Sequence, residues 1–165
     1  MADVSLIFLK KTNILQIKNC DFVENNAASI SLFEGNNTIF VNTNFTINSG
    51  GNGLHHVRKV AIHNCIFTQN SHNQGGSVYI SKSQLVIMYK NIYKMNYATN
   101  AGGASFIKTA ISAKVIMCKY LSNTATDLGG ALGLWDIKSV LIIRSIFQRN
   151  DASLEGGGLY GVKVS

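Results

Sequence analysis

The sequence contains no proline, and only three of its 165 residues are cysteine. Proline cannot donate to a strand ladder, so its absence leaves every backbone N–H available for pairing. Cys20, Cys65 and Cys118 fall at one phase of a repeat set out below, successive ones two units apart. At the spacing of stacked strands that is about 9.6 Å, beyond the ~7 Å a disulfide can span. Three free, mostly buried thiols are expected, acting as small apolar residues, and no disulfide framework indicates the compartment.

Acidic charge is also scarce. Eight Asp and Glu stand against fifteen Lys and Arg, a net charge of +7. No carboxylate lies between Gly35 and Thr126. Glycosidases need two carboxylates flanking the scissile bond, and calcium sites need several carboxylate oxygens. Only the outer parts of the chain could host either chemistry, through Asp21 and Glu24 or through Asp127, Asp151 and Glu155. Asp127 and Glu155 occupy equivalent turn positions in adjacent units, and two solvated turn residues is the plainer reading. His63 and His72 lie at different phases of the repeat, so no metal site is expected, and no cofactor.

Long hydrophobic runs are missing too. The run from Val4 to Leu9 is too short to span a membrane, and nothing before it has the charged start of a signal peptide. It reads as the last strand of an incomplete coil over residues 1–13.

What the chain does have is internal repetition, the first thing to settle in a fold assignment. An aromatic followed three residues later by Asn occurs six times, at Phe22/Asn25, Phe45/Asn48, Phe67/Asn70, Tyr93/Asn96, Tyr120/Asn123 and Phe147/Asn150. Successive aromatics are 23, 22, 26, 27 and 27 residues apart. A Gly-Gly pair follows at residues 50, 75, 102, 129 and 156, with Ala27-Ala28 in that place in the first unit. A large apolar residue precedes each aromatic by five positions: Ile17, Phe40, Ile62, Met88, Val115, Ile142. Apolar alternation before the aromatic (Val60 and Ile62, Val86 and Met88) and after the glycines (Val78-Tyr79-Ile80) has the two-residue period of strands.

These features predict an all-β fold, a right-handed parallel β-helix of about six coils of 22–27 residues, without end caps. It forms one domain over residues 1–165, with coils near 14–35, 36–59, 60–84, 85–110, 111–137 and 138–165. Leucine-rich repeats share the period but need a Leu and Asn spacing that is absent. The ring column is expected to stack inward, and the Asn column to form an amide ladder bonded to turn carbonyls. Glycine is expected where φ is positive or backbones approach closely. Repetition in every coil points to scaffold, because a binding site needs its special residues once.

Candidate sites are few. The sequons Asn36-Asn37-Thr38 and Asn44-Phe45-Thr46 could carry N-glycans, Asn36 from a loop and Asn44 from an outward strand position. Trp135 reads as an isolated turn aromatic that could contact a sugar ring. The lysines form no single column, which argues against nucleic acid and fits diffuse attraction to anionic polysaccharide. An ice-binding face would need a regular Thr column, and only Thr43 and Thr46 hint at one.

The pairing of Phe147-Gln148-Arg149-Asn150 with Gly129-Gly130-Ala131-Leu132 resembles the repeats of chlamydial polymorphic outer-membrane proteins. Similar repeats occur in large surface proteins with pectin-lyase-like β-helices. The resemblance covers nearly the whole chain. It implies an extracellular or cell-surface, non-catalytic structural or adhesive module, with a pectin-lyase-like polysaccharide-binding or carbohydrate-active protein as the alternative. The expected partners are further coils, either in a longer solenoid or in end-to-end stacked copies, and glycans.

Overall fold

The computed structural model describes residues 5–164, so residues 1–4 of the expected partial coil and Ser165 of the last coil lie outside it. Among the described residues there are strands and no helix. Every strand pairing is parallel, and the chain winds as a β-solenoid of about six turns.

Three sheets form its walls. The long sheet is built from Ser5–Lys18, Ala28–Val41, Asn52–His63, Val78–Tyr89 and Ser105–Ile116, then the pair Leu132–Ile137 and Val140–Ile143, then Leu159–Val164. A second sheet stacks six three-residue strands centred on the repeated aromatics. The third holds four strands, Ser71–Gln74, Tyr97–Ala101, Thr124–Ala125 and Asp151–Ala152.

The rings stack along the axis, each aromatic paired in register with the next. Centroids from Phe22 to Phe147 are 4.9, 4.9, 4.8, 4.7 and 4.8 Å apart, with planes within 9° of parallel. That spacing is the strand repeat itself, so the backbone ladder sets the ring separation. Phe45, Phe67, Tyr93 and Tyr120 are wholly buried, among the Ile, Leu and Val side chains of the long sheet.

The amide ladder runs beside the rings. Nδ2 of Asn25, Asn48, Asn70, Asn96 and Asn123 donates to Oδ1 of the next coil's Asn at 2.7–3.0 Å. The same Oδ1 also accepts the backbone N–H of the Asn before it. From Asn48 onward each Nδ2 donates again, to the carbonyl of the preceding coil's aromatic, as Asn70 does to Phe45 at 2.8 Å. The acceptors are therefore strand carbonyls of the ring column, where turn carbonyls were expected. Each buried amide of this ladder is saturated, which is the condition for placing it in the core.

The corners differ from expectation. Two of them are turned by non-glycine residues at φ near +50°, three before the aromatic (Asn19, Asn42, Asn64, Lys90, Met117, Arg144) and two after it (Glu24, Ile47, Gln69, Met95, Ser122, Arg149). In the Gly-Gly turn the first glycine has positive φ from Gly75 on. The second has no room for a side chain, since a Cβ on Gly103 would sit 2.0 Å from the Gly130 carbonyl oxygen.

The boundaries placed near 36, 59, 85 and 111 fall inside single continuous strands. Each strand bends there without breaking, at Glu34, His56, Lys82 or Thr109, all with positive φ. Asn36 is consequently not in a loop but within Ala28–Val41.

All three cysteines are free, Cys65 and Cys118 buried and Cys20 partly exposed. Burial pushes the Cys65 and Cys118 thiols up from 9.0 to about 11, against weaker backbone hydrogen bonds that lower them. Burial also pushes the hydroxyls of Tyr93 and Tyr120 well above their ordinary value. These groups fold neutral, so the thiols' contribution is complete below 9.0 and is lost as pH rises from about 9 through 11, and the two hydroxyls act in the same direction at more alkaline pH. Stability should therefore fall on the alkaline side. At pH 8 a thiol reagent should modify Cys20 alone, and Cys65 and Cys118 only once the chain unfolds.

Candidate functional site: a step in the solenoid wall

The third sheet does not run the length of the solenoid, and the reason is a difference in coil length. From aromatic to glycine pair is five residues in coil two (Phe45 to Gly50), eight in coil three (Phe67 to Gly75) and nine thereafter. The extra residues form the third-sheet strands. Coil two reads Asn48-Ser49-Gly50-Gly51 where coil three reads Asn70-Ser71-His72-Asn73-Gln74-Gly75-Gly76. With Asn52 paired to Val78, coil two lacks four residues, the equivalents of His72-Asn73-Gln74-Gly75, and it cuts the corner directly.

Ser71–Gln74 is the last strand of that sheet, paired with Tyr97–Ala101 on one side only. Toward coil two the backbone bond from this strand, among the described residues, is Ser71 N–H to the Asn48 carbonyl at 2.9 Å. Coil two rejoins the wall at Asn52, whose N–H reaches the Ser77 carbonyl at 2.7 Å.

The step leaves a cleft of about 670 Å³. Along one wall runs a row of rings on the outer face of the long sheet. Phe33 and His55 stack at 4.6 Å and 7°, His55 meets Tyr79 at 5.1 Å, and Tyr79 lies 6.0 Å from Phe106. His55 Nδ1 is 3.1 Å from Ser81 Oγ. The opposite rim is polar, with Asn26, Ser49, Asn73 and Gln74. His72 Nδ1 donates to the Gln74 carbonyl at 2.9 Å, folding its ring back along its own strand. Among the described residues no carboxylate lines the cleft. Ring faces, amides, imidazoles and an open strand edge are the groups it presents, with no glycosidase-type carboxylate pair among the described residues that line it.

The residues singled out in the sequence lie elsewhere. Asn36 and Asn44 are half-exposed, and each Nδ2 already donates across coils, to Asn13 Oδ1 at 3.1 Å and to Asp21 Oδ1 at 2.7 Å. Asp127 and Glu155 are neighbours through the backbone, Glu155 N–H donating to the Asp127 carbonyl at 3.2 Å. The Asp127 carboxylate accepts from Asn100 Nδ2. Trp135 is not in a turn but in Leu132–Ile137, beside the bend at Asp136. Of the histidines, His55 and His72 line the cleft, while His56 and His63 do not. No group of three or more His, Cys, Asp or Glu able to hold a metal occurs among the described residues. No helix there is long and apolar enough to cross a membrane.

Phe33, His55, His72 and Tyr79 are thus the residues that sequence reasoning missed as a group. The available signal was the jump in spacing from 22 to 26 residues, which marks where the wall steps. Comparison with protein-family models, with curated proteins and with solved structures gives no match.

Proposed function

We propose that the chain is a non-catalytic, extracellular structural or adhesive repeat module, in which the solenoid is a stiff shaft and the stepped cleft is its contact site. The observation that supports this is the placement of the cleft. It interrupts one wall alone, while the ring and amide ladders continue beneath it through all six coils. A scaffold that tolerates a local step without losing its core is suited to presenting a surface.

The repeat pattern supports placing the chain with the polymorphic outer-membrane-protein-like repeats and the pectin-lyase-like β-helices. Exposed apolar residues on the outermost strands, Leu6 and Phe8 at 59 % and Leu159 at 43 %, favour further stacking there. Either more coils of the same polypeptide or a second copy would continue the ladder. The ring row beside amides favours a second reading, polysaccharide binding by the same cleft.

Beads coated with the protein test the proposal. Retention on cell or matrix surfaces should fall several-fold when Phe33 and Tyr79 are both changed to Ser. Turnover of an acidic polysaccharide, lost on changing Asp127 or Glu155, would contradict a non-catalytic role.

A further inference from the structure

The cleft has a feature that ring-lined sugar sites do not require, a strand edge along one side that beyond the Ser71 bond to Asn48 is left without a strand partner. Ser71–Gln74 gives its partner edge to Tyr97–Ala101, and its other edge faces the space left by the two short coils. Parallel strands lie about 4.8 Å apart, so two missing strand levels leave a slot roughly 10 Å deep. Unpaired backbone donors and acceptors in such a place are a template for an added strand.

We propose that the cleft takes an extended peptide, added in parallel to the open edge of Ser71–Gln74 and replacing the third strand that coil two lacks. This inference rests on the reading of the cleft as the contact site and names its occupant. The chemistry of the occupant follows from the walls. At one register position of this sheet stand Ala98, Ala125 and Ala152, the first two fully buried, while His72 takes that position in the last strand and turns its ring to the cleft. A peptide strand must therefore carry a small residue at that register position. Beyond Gln74 the slot opens on Phe33, His55 and Tyr79, which suit an apolar or aromatic side chain at the peptide's C-terminal end. With no carboxylate among the described lining residues and a net charge of +7, a neutral or acidic peptide is favoured over a basic one. The His72 side chain now occupies the Gln74 carbonyl, and an incoming N–H would displace it.

The chain supplies its own control. Inserting the four residues His-Asn-Gln-Gly between Ser49 and Gly50 gives coil two the length of coil three, keeps Asn52 in register with Val78 and fills the slot from within. Two probes are used: a labelled peptide with the sequence of residues 96–102 followed by Phe, and a displayed library of random seven-residue peptides. The expected result is saturable binding of the peptide or of library-selected sequences, with slowed amide exchange at residues 72–74. Affinity should drop about tenfold or more when alternate peptide nitrogens are methylated, and likewise in the insertion variant. Thermal unfolding of the insertion variant verifies its fold, and the methylated peptide decides the matter should it not fold. Absence of any binder from either probe overturns the inference, and so does binding indifferent to methylation. If oligosaccharides from a glycan array bind instead and the insertion blocks them, the peptide is excluded while the cleft remains the contact site. If bead retention survives the insertion, the contact-site reading itself fails.

Discussion

Replacing Phe67 by alanine should lower the unfolding free energy by about 3–5 kcal/mol, the range for deleting a buried aromatic. Phe67 is wholly buried between Phe45 at 4.9 Å and Tyr93 at 4.8 Å, both nearly parallel to it. The size of the loss depends on whether neighbours can close the gap. Here they cannot move far, because the Asn70 bond to the Phe45 carbonyl and the Asn96 bond to the Phe67 carbonyl hold adjacent coils at fixed spacing. The upper half of the range is expected. Phe147 is the control: it stacks on Tyr120 alone and is only partly buried, so Phe147→Ala should cost distinctly less. Urea unfolding of the two variants checks the order. Equal losses, or no loss at Phe67, would mean that the rings are not held as described.

Asn70→Ala should be of comparable severity although it removes far less volume. The side chain donates to the Phe45 carbonyl and to Asn96 Oδ1, and its own Oδ1 receives both N–H and Nδ2 of Asn48. Alanine leaves the Asn48 N–H without this acceptor at a buried site. Each buried polar group left unpaired costs about 1–3 kcal/mol, and more than one is affected. Because the bonds run in both directions along the axis, amide exchange should accelerate in the coils on either side. A variant that unfolds like the parent, with exchange unchanged at Asn48 and Asn96, would show that the amide column carries no load.

The period, the ring column and the amide column were legible in the sequence because each role admits few residue types. Only aromatics fill the inward volume at Phe45 or Tyr93, and only an amide of Asn length both donates and accepts across coils, as at Asn70. The non-glycine corners were not legible. Ile47, Met95 and Met117 sit at φ near +50°, where bulky residues are rare, and their position is forced by the hydrogen-bonded strands on both sides. The bends at Glu34, His56, Lys82 and Thr109 share no residue type, so they leave no column to find, and the sequence reading placed coil boundaries there. The ring row of the cleft escaped for a similar reason. Phe33 aligns with His55, but Tyr79 aligns with Gly53, so the row zigzags between two strand positions. A search along single columns does not see it.

Nuclear Overhauser contacts between ring protons, in a sample labelled selectively at Phe and Tyr, test the stacking most directly. Cross-peaks should join Phe45 to Phe67 and Phe67 to Tyr93, pairs 22 and 26 residues apart in sequence whose centroids lie 4.9 and 4.8 Å apart. Their absence in a folded sample, or contacts confined to residues near in sequence, would contradict the coil-on-coil arrangement on which the cleft and its function rest.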